Sequence, residues 1–148
     1  MNPPGDHLDQ IMAVMQSAFD PVFGEAWTRR QVEDSLLVGN CHYELALANE
    51  GCAGFYLART GYEEVELLLL AVAPEHRRRG IARHLLAELA QSARQRGATR
   101  LLLEMRRDNP AGLLYRDFGF TPIGERKDYY KLANGSRADA ITLALHLP

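Results

Sequence analysis

The sequence predicts an α/β (α+β) fold: one mixed, mainly antiparallel sheet, helices on both faces, and a parallel strand–helix–strand step near its middle. Three observations lead there. From Cys41 to Ala48, Cys41, Tyr43, Leu45 and Leu47 alternate with His42, Glu44, Ala46 and Ala48, the period of a half-buried strand. A second strand from Ala53 to Arg59 follows the Asn49-Glu50-Gly51 turn as a hairpin. The run from Val65 to Val72 ends in Leu67-Leu68-Leu69-Leu70-Ala71-Val72, too continuously apolar for a sheet with one wet face, which makes it a central strand. After Pro74, a helix with Ile81, Leu85, Leu86, Leu89, Ala90 and Ala93 on one face runs to Gly97, and a strand from Thr99 to Arg106 follows. Such a connection is a right-handed crossover between parallel neighbours, with ligands expected at the carboxyl ends of the strands.

The other elements fill in around this centre. A helix from about His7 to Phe19 carries Leu8, Ile11, Met12, Met15, Ala18 and Phe19 at helical spacing, and Asp20-Pro21 ends it. Thr28, with Gln31 three residues later, makes a capping box for a second helix through Leu37. Phe23 to Trp27 is an aromatic loop between the two. A short helix spans about Asn109 to Phe118, and Gly119-Phe120-Thr121-Pro122 leads into strands at Gly124 to Leu132 and Asp139 to Leu147, joined through Asn134-Gly135.

At 148 residues and 47% hydrophobic content, the chain has the size of one domain, residues 1–148. Its 17 basic against 19 acidic residues, net charge -2, argue against a protein built to grip nucleic-acid backbone. Met1 to Asp6 lacks a basic start followed by an apolar stretch, and no apolar run approaches the roughly 18 residues of a spanning helix, so a cytoplasmic chain with no membrane partner is expected. Cys41 and Cys52 form no CxxC pair, which suits a reducing compartment. The histidines at 7, 42, 76, 84 and 146 show neither HExxH nor Cys/His ligand spacing, and GxSxG is absent; neither a metal nor a covalent acyl-enzyme is expected.

Chemistry concentrates in Pro74-Glu75-His76-Arg77-Arg78-Arg79-Gly80-Ile81-Ala82-Arg83, where a buried strand turns into the first turn of an amphipathic helix. Unpaired N–H groups and the positive end of the helix dipole make an anion site there, and a glycine with a small neighbour lets phosphate oxygens approach the main chain. Arg78, Arg79 and Arg83 add charge around the same anion. The alternative is a solvated basic helix start. The segment is neither GxxxxGK[ST] nor GxGxxG, which removes support for nucleotide hydrolysis and dinucleotide binding.

Arg77 to Ala82 satisfies [QR]-x-x-G-x-[GA] after a strand ending Ala71-Val72-Ala73-Pro74, and in this it resembles the acyl-CoA loop of the GCN5-related N-acetyltransferases (GNAT superfamily). Leu102-Leu103-Glu104-Met105-Arg106, Asn109, Leu114-Tyr115 and Gly119-Phe120 resemble further signatures of that family in order. Glu104, Arg126-Lys127-Asp128-Tyr129-Tyr130 and Ala138-Asp139-Ala140-Ile141 are similar to the ribosomal-protein-alanine N-acetyltransferases of the RimI type. The likeness covers about residues 64 to 147, with a weaker echo in Phe19 and Trp27.

The resemblance implies an enzyme using acetyl-CoA as cosubstrate. Its diphosphate would lie on Arg78, Arg79, Gly80, Ile81, Ala82 and Arg83, and its pantetheine arm along Leu70, Ala71, Val72 and Asn109. Main-chain groups of Leu70 to Val72 would polarise the acetyl carbonyl. Glu104 would be the general base, its pKa raised among leucines, and Tyr115 would protonate the leaving thiolate. The alternatives are a strand carboxylate paired with Arg100, Arg106 or an arginine of the next strand, a core aromatic, and for Asn109 a helix cap. Trp27, Tyr129 and Tyr130 would flank an acceptor peptide or serve as loop anchors. From Asn109 to Tyr115 there are six steps, one fewer than in the family pattern. On a helix this turns the side chain by roughly 100° unless Pro110 or Gly112 absorbs the change. An α-amine, with a pKa near 8, leaves more neutral nucleophile at pH 7 than lysine near 10.4, consistent with a protein N-terminus, possibly of a ribosomal protein, as acceptor. The acidic Glu25, Glu44 and Asp128 would attract a basic peptide tail. A small-molecule or lysine acetyltransferase and a non-catalytic acyl-CoA-binding module remain as other readings.

Overall fold

The computed structural model describes residues 5–49 and 51–148. The reading of the first residues and of the turn at Glu50 therefore falls outside the described residues. In chain order the elements are α1 (Gly5–Ala18), α2 (Arg29–Leu37), β1 (Cys41–Ala48), β2 (Gly51–Thr60), β3 (Glu64–Val72), α3 (Ile81–Gln95), β4 (Arg100–Arg106), α4 (Ala111–Phe118), β5 (Thr121–Lys131) and β6 (Arg137–His146). The strands form one sheet in the order β1-β2-β3-β4-β6-β5, with β3 and β4 parallel and every other neighbouring pair antiparallel. The mixed sheet with its central parallel step is the expected one.

Local chemistry accounts for the helices. Thr28 caps α2 by accepting from the Gln31 amide at 3.1 Å while the Gln31 side chain accepts from the Thr28 amide at 2.8 Å, the reciprocal box read from the sequence. The stripes of α1 and α3 bury Leu8, Ile11, Met12 and Met15 in one case and Leu85, Leu86, Leu89, Ala90 and Ala93 in the other. These stripes cover opposite faces of the sheet: α1 and α2 enclose Phe55, Leu57, Leu69 and Ala71, whereas α3 encloses Tyr56, Ala58, Leu67 and Leu101. Coverage on both sides explains why β3 is continuously apolar from Leu67 to Val72.

One irregularity in β3 positions everything that follows. Leu57 pairs with Leu69 but the next residue, Ala58, pairs with Leu67, so Leu68 is an extra residue in the β2–β3 ladder. A bulge of this kind flips side-chain alternation and bends the strand. Leu67 accordingly faces the α3 core and Leu69 the α1 core, although they are two residues apart.

Most boundaries lie within two residues of expectation, and two of the shifts have a physical reason. β5 starts at Thr121 and includes Pro122, and a proline is tolerated because this is the last strand of the sheet, where its missing N–H faces no partner. α4 starts at Ala111 and not at Asn109, which sits in the preceding turn. No helix among the described residues is long and apolar enough to cross a membrane.

At Gly54, β2 leaves no room for a side chain against β3. A Cβ there would meet the Ala71 carbonyl oxygen at 2.7 Å and Val72 Cγ2 at 3.2 Å, and a main-chain atom cannot swing aside. Gly54→Ala is expected to cost about 1–3 kcal/mol of stability, read as a lower urea midpoint; an unchanged midpoint would contradict this close approach.

Candidate active site

The ladder between β3 and β4 runs only from Glu64 opposite Arg100 to Leu67 opposite Leu103. Beyond the Leu68 bulge, β3 follows β2 up to Val72 opposite Gly54, while β4 stays with β6 as far as Arg106 opposite Ala140. The two parallel strands therefore splay apart, and a cleft of about 840 Å³ opens in the V. Leu68 to Val72 form one wall and Glu104, Met105 and Arg106 the other; Ala82, Asn109 and Tyr115 close it from the helix side, Phe23, Glu25 and Trp27 from the loop after α1, and Tyr130 from β5.

At one end lies the arginine-glycine segment. Arg78 (φ 65°) and Gly80 (φ 75°) both take left-handed conformations, and Gly80 caps α3 without a side-chain hydrogen bond. The first helical bond runs from the His84 amide to the Gly80 carbonyl at 3.0 Å, so the amides of Ile81, Ala82 and Arg83 precede it as outward donors. Arg77 and Ala82 line the cleft; Arg78, Arg79, Gly80, Ile81 and Arg83 lie beyond its lining. Arg77 donates to the Ala18 carbonyl at 3.0 Å, Arg79 meets His76 Nδ1 at 3.1 Å, and the Arg83 guanidinium sits 5.6 Å from the centre of the Phe118 ring.

Glu104 faces the cleft and is also paired. Its Oε2 lies 3.5 Å from Arg126 Nε and accepts from Thr142 Oγ1 at 3.4 Å. Of the arginines the sequence offered, Arg100 goes to Glu64 at 2.8 Å and Arg106 to Glu25 and Asp108, leaving the β5 arginine for Glu104.

Tyr115 reaches the cleft despite the shortened segment before it, because the turn takes up the difference. The Asn109 amide donates to the Arg106 carbonyl at 3.0 Å, Asn109 Oδ1 accepts from the Ala111 amide at 2.9 Å, and α4 begins only then. Asn109 thus braces the turn and does not cap α4, whose N-cap position is Pro110 with no side-chain cap bond. Tyr115 is buried edge-on to Phe120, and burial, reinforced by the charge of Glu25, pushes its phenol up to about 12.

The sequence offered Arg106 as a partner for Glu104, and Glu25 as an attractor of a peptide tail, but not their pairing with each other, which is central to this geometry. The Arg106 side chain is 5% exposed, lies 3.5 Å over the Phe23 ring, donates through Nε to Asp108 at 2.7 Å and brings Nη1 to 3.2 Å from Glu25 Oε2. Burial pushes the Glu25 carboxyl above its ordinary value more strongly than Arg106 pulls it back. Burial also pushes Tyr130 up to about 12, followed by the charges of Glu104 and Glu25. Glu25 is therefore felt at both tyrosines. Among the residues expected at the acceptor, Trp27 and Tyr130 line the cleft, whereas Tyr129 does not: it is 47% exposed, stacked edge-on to Tyr130 and beneath Arg126.

A smaller hollow of about 280 Å³ between β1 and α3, lined by His42, Tyr56, Ser92 and Arg96 among others, shares no residue with the cleft.

Residues 8–120 match the acetyltransferase (GNAT) family, and the chain belongs to that family. It is 32% identical over 101 residues to the ribosomal protein bS18-alanine N-acetyltransferase of Haemophilus influenzae, covering 68% of this chain and 69% of that one. It is 37% identical over 98 residues to the enzyme of the same name from Escherichia coli K12, covering 66% of each. The crystal structure of the Escherichia coli ribosomal-protein-S18-alanine N-acetyltransferase superposes with a TM-score of 0.85 at 28% identity, over 99% of this chain and 92% of that one.

The two cleft phenols have a consequence for alkaline solution. The folded chain keeps protons that an unfolded tyrosine releases near its ordinary value of 10. Their stabilisation is complete below pH 10 and disappears as the pH climbs through about 12. Absorbance titration is expected to show phenols ionising late together with unfolding, and Tyr115→Phe to remove one of them; a Tyr115 phenol titrating near 10 in the folded protein would contradict its burial.

Proposed function

We propose that this chain acts as one N-acetyltransferase domain over residues 1–148 and transfers the acetyl group of acetyl-CoA to the α-amine of a protein N-terminus, with an alanine-initiated ribosomal protein as acceptor. The observation that carries the reading is the splay past Leu67 and Leu103, which puts Glu104, Tyr115 and Tyr130 around one cleft. The bS18-alanine N-acetyltransferases among its relatives support this acceptor. The free thiols of Cys41 and Cys52 suit a cytoplasmic setting.

The residues present fit acetyl-CoA. Main-chain groups of Leu70, Ala71 and Val72, released from any β4 partner by the splay, form a strand edge for an extended amide-bearing arm. The amides of Ile81 to Arg83, with Gly80 for close approach and Arg78, Arg79 and Arg83 nearby, suit a diphosphate. Asn109 has its side-chain oxygen committed to the turn and one amide hydrogen directed at Glu25 Oε2 at 3.5 Å, which leaves the other for the arm. Bound there, acetyl-CoA supplies the activated thioester.

Glu104 takes the proton that the acceptor amine must lose, and a main-chain N–H of the Leu70–Val72 edge faces the charge developing on the acyl oxygen. Tyr115 has a narrower task than full acid catalysis. A phenol near 12 gives up its proton unfavourably to a thiolate of roughly 8.5, so Tyr115 acts as a neutral hydrogen-bond donor to the departing sulfur. Trp27 and Tyr130 flank the entering peptide.

Acetylation of an alanine-initiated peptide, compared with polyamines and with internal lysines by mass spectrometry, tests the acceptor. Peptide turnover with acetyl on the α-amine is expected, and its absence overturns the proposal. Glu104→Gln is expected to lower kcat by roughly 10²- to 10⁴-fold, and Tyr115→Phe by less; full activity in Glu104→Gln would remove the base from its role.

A further inference from the structure

We infer that Glu25 and Arg106 are the residues that select an α-amine, Glu25 holding its ammonium and Arg106 Nη1 donating to the carbonyl oxygen of the same acceptor residue. The inference rests on the proposed α-amine acceptor and names what recognises it.

Position is the first argument. Both side chains line the cleft, and the charge of Glu25 reaches Tyr115 on α4 as well as Tyr130 on β5, so it stands where the walls that carry these tyrosines converge. Glu104, by contrast, acts on Tyr130.

Unmet bonding capacity is the second. Arg106 is 4% exposed, and its Nη1, held 3.2 Å from Glu25 Oε2 as an ion pair, meets no partner of hydrogen-bond geometry among the described residues. A buried guanidinium donor left in that state is costly, which makes the site receptive to an oxygen that completes it. Glu25 has room for a further donor: among the described residues it has the Arg106 ion pair at 3.2 Å and the Asn109 amide at 3.5 Å, the outer limit of a hydrogen bond.

Acceptor chemistry is the third. The standard bond lengths place the amine nitrogen and carbonyl oxygen of a terminal residue about 3 Å apart. Glu25 Oε2 and Arg106 Nη1 stand 3.2 Å apart. A lysine side chain and a polyamine offer the ammonium without an oxygen beside it, so they engage one half of the pair. Phe23 against the guanidinium face and Asp108 at Nε keep Arg106 from turning away.

The test compares kcat/KM for a glycine-initiated peptide with that for its β-alanine-initiated homologue, in which one methylene separates amine from carbonyl, and with that for a blocked peptide bearing one lysine. Wild-type protein is expected to favour the glycine peptide over the β-alanine peptide by roughly 30-fold or more. Glu25→Gln and Arg106→Lys are expected to narrow that ratio through a higher peptide KM, with the KM for acetyl-CoA unchanged. A wild-type enzyme that acetylates both peptides equally overturns the inference without any variant. Variants that bind acetyl-CoA normally yet keep the wild-type ratio also overturn it, while α-amine turnover itself still stands. Turnover of the lysine peptide alone overturns both this inference and the acceptor on which it rests.

Discussion

The working part of this molecule depends on two parallel strands that stop pairing. β3 and β4 share four residue pairs, and the extra residue at Leu68 then carries β3 along with β2 while β4 follows β6. Breaking a ladder in the middle of a sheet would ordinarily strand main-chain donors and acceptors in the core. Here the break opens onto a cleft, so the exposed edge from Leu68 to Val72 faces solvent or ligand. The crossover helix α3 starts beside the same end of β3, and its free amides are thereby aligned with that edge. One bulge thus arranges an anion site and a strand edge in series.

A second constraint holds the opposite wall. The loop between α1 and α2 packs Phe19 and Trp27 against the α1 core, and Arg106 at the end of β4 anchors its middle through the Phe23 ring and Glu25. A buried charge is a poor source of stability. Its value here is directional: a planar guanidinium fixed on one face and at Nε fixes the loop that carries Trp27 and Glu25 relative to the strand that carries Glu104. Rigid placement of acceptor-side groups against cofactor-side groups is what a reaction between two substrates requires.

Periodicity made most of the fold legible, because the helices and strands bury whole faces. The α2 capping box, β1 and the α3 stripe were readable to within a residue or two. The Leu68 bulge was hidden by its own composition, since four consecutive leucines look alike on either face. The start of β5 was misread because Pro122 signals a break unless the strand is known to lie at an edge. At the site, the arginine-glycine segment was legible from its place between strand and helix. The pairing of Glu25 with Arg106 was not: one lies in an aperiodic loop and the other 81 positions later at a strand terminus, and their meeting is a tertiary fact. Tyr129 and Tyr130 are adjacent in sequence, yet the irregular pairing between Arg126 and Tyr130, with Asp128 at φ 52°, gives only Tyr130 to the cleft.

β5 is exposed along ten of its eleven residues, and Tyr130 is the one that turns partly inward. The strand contributes main-chain bonds to β6 but almost nothing to either core. Mutations in this strand escape the packing constraints that govern β2, β3 and β4, while any that reorient Tyr130 alter the acceptor side of the cleft directly. Within this fold, acceptor preference is therefore able to drift at little thermodynamic cost, and the cofactor side, built into the sheet's centre, is not.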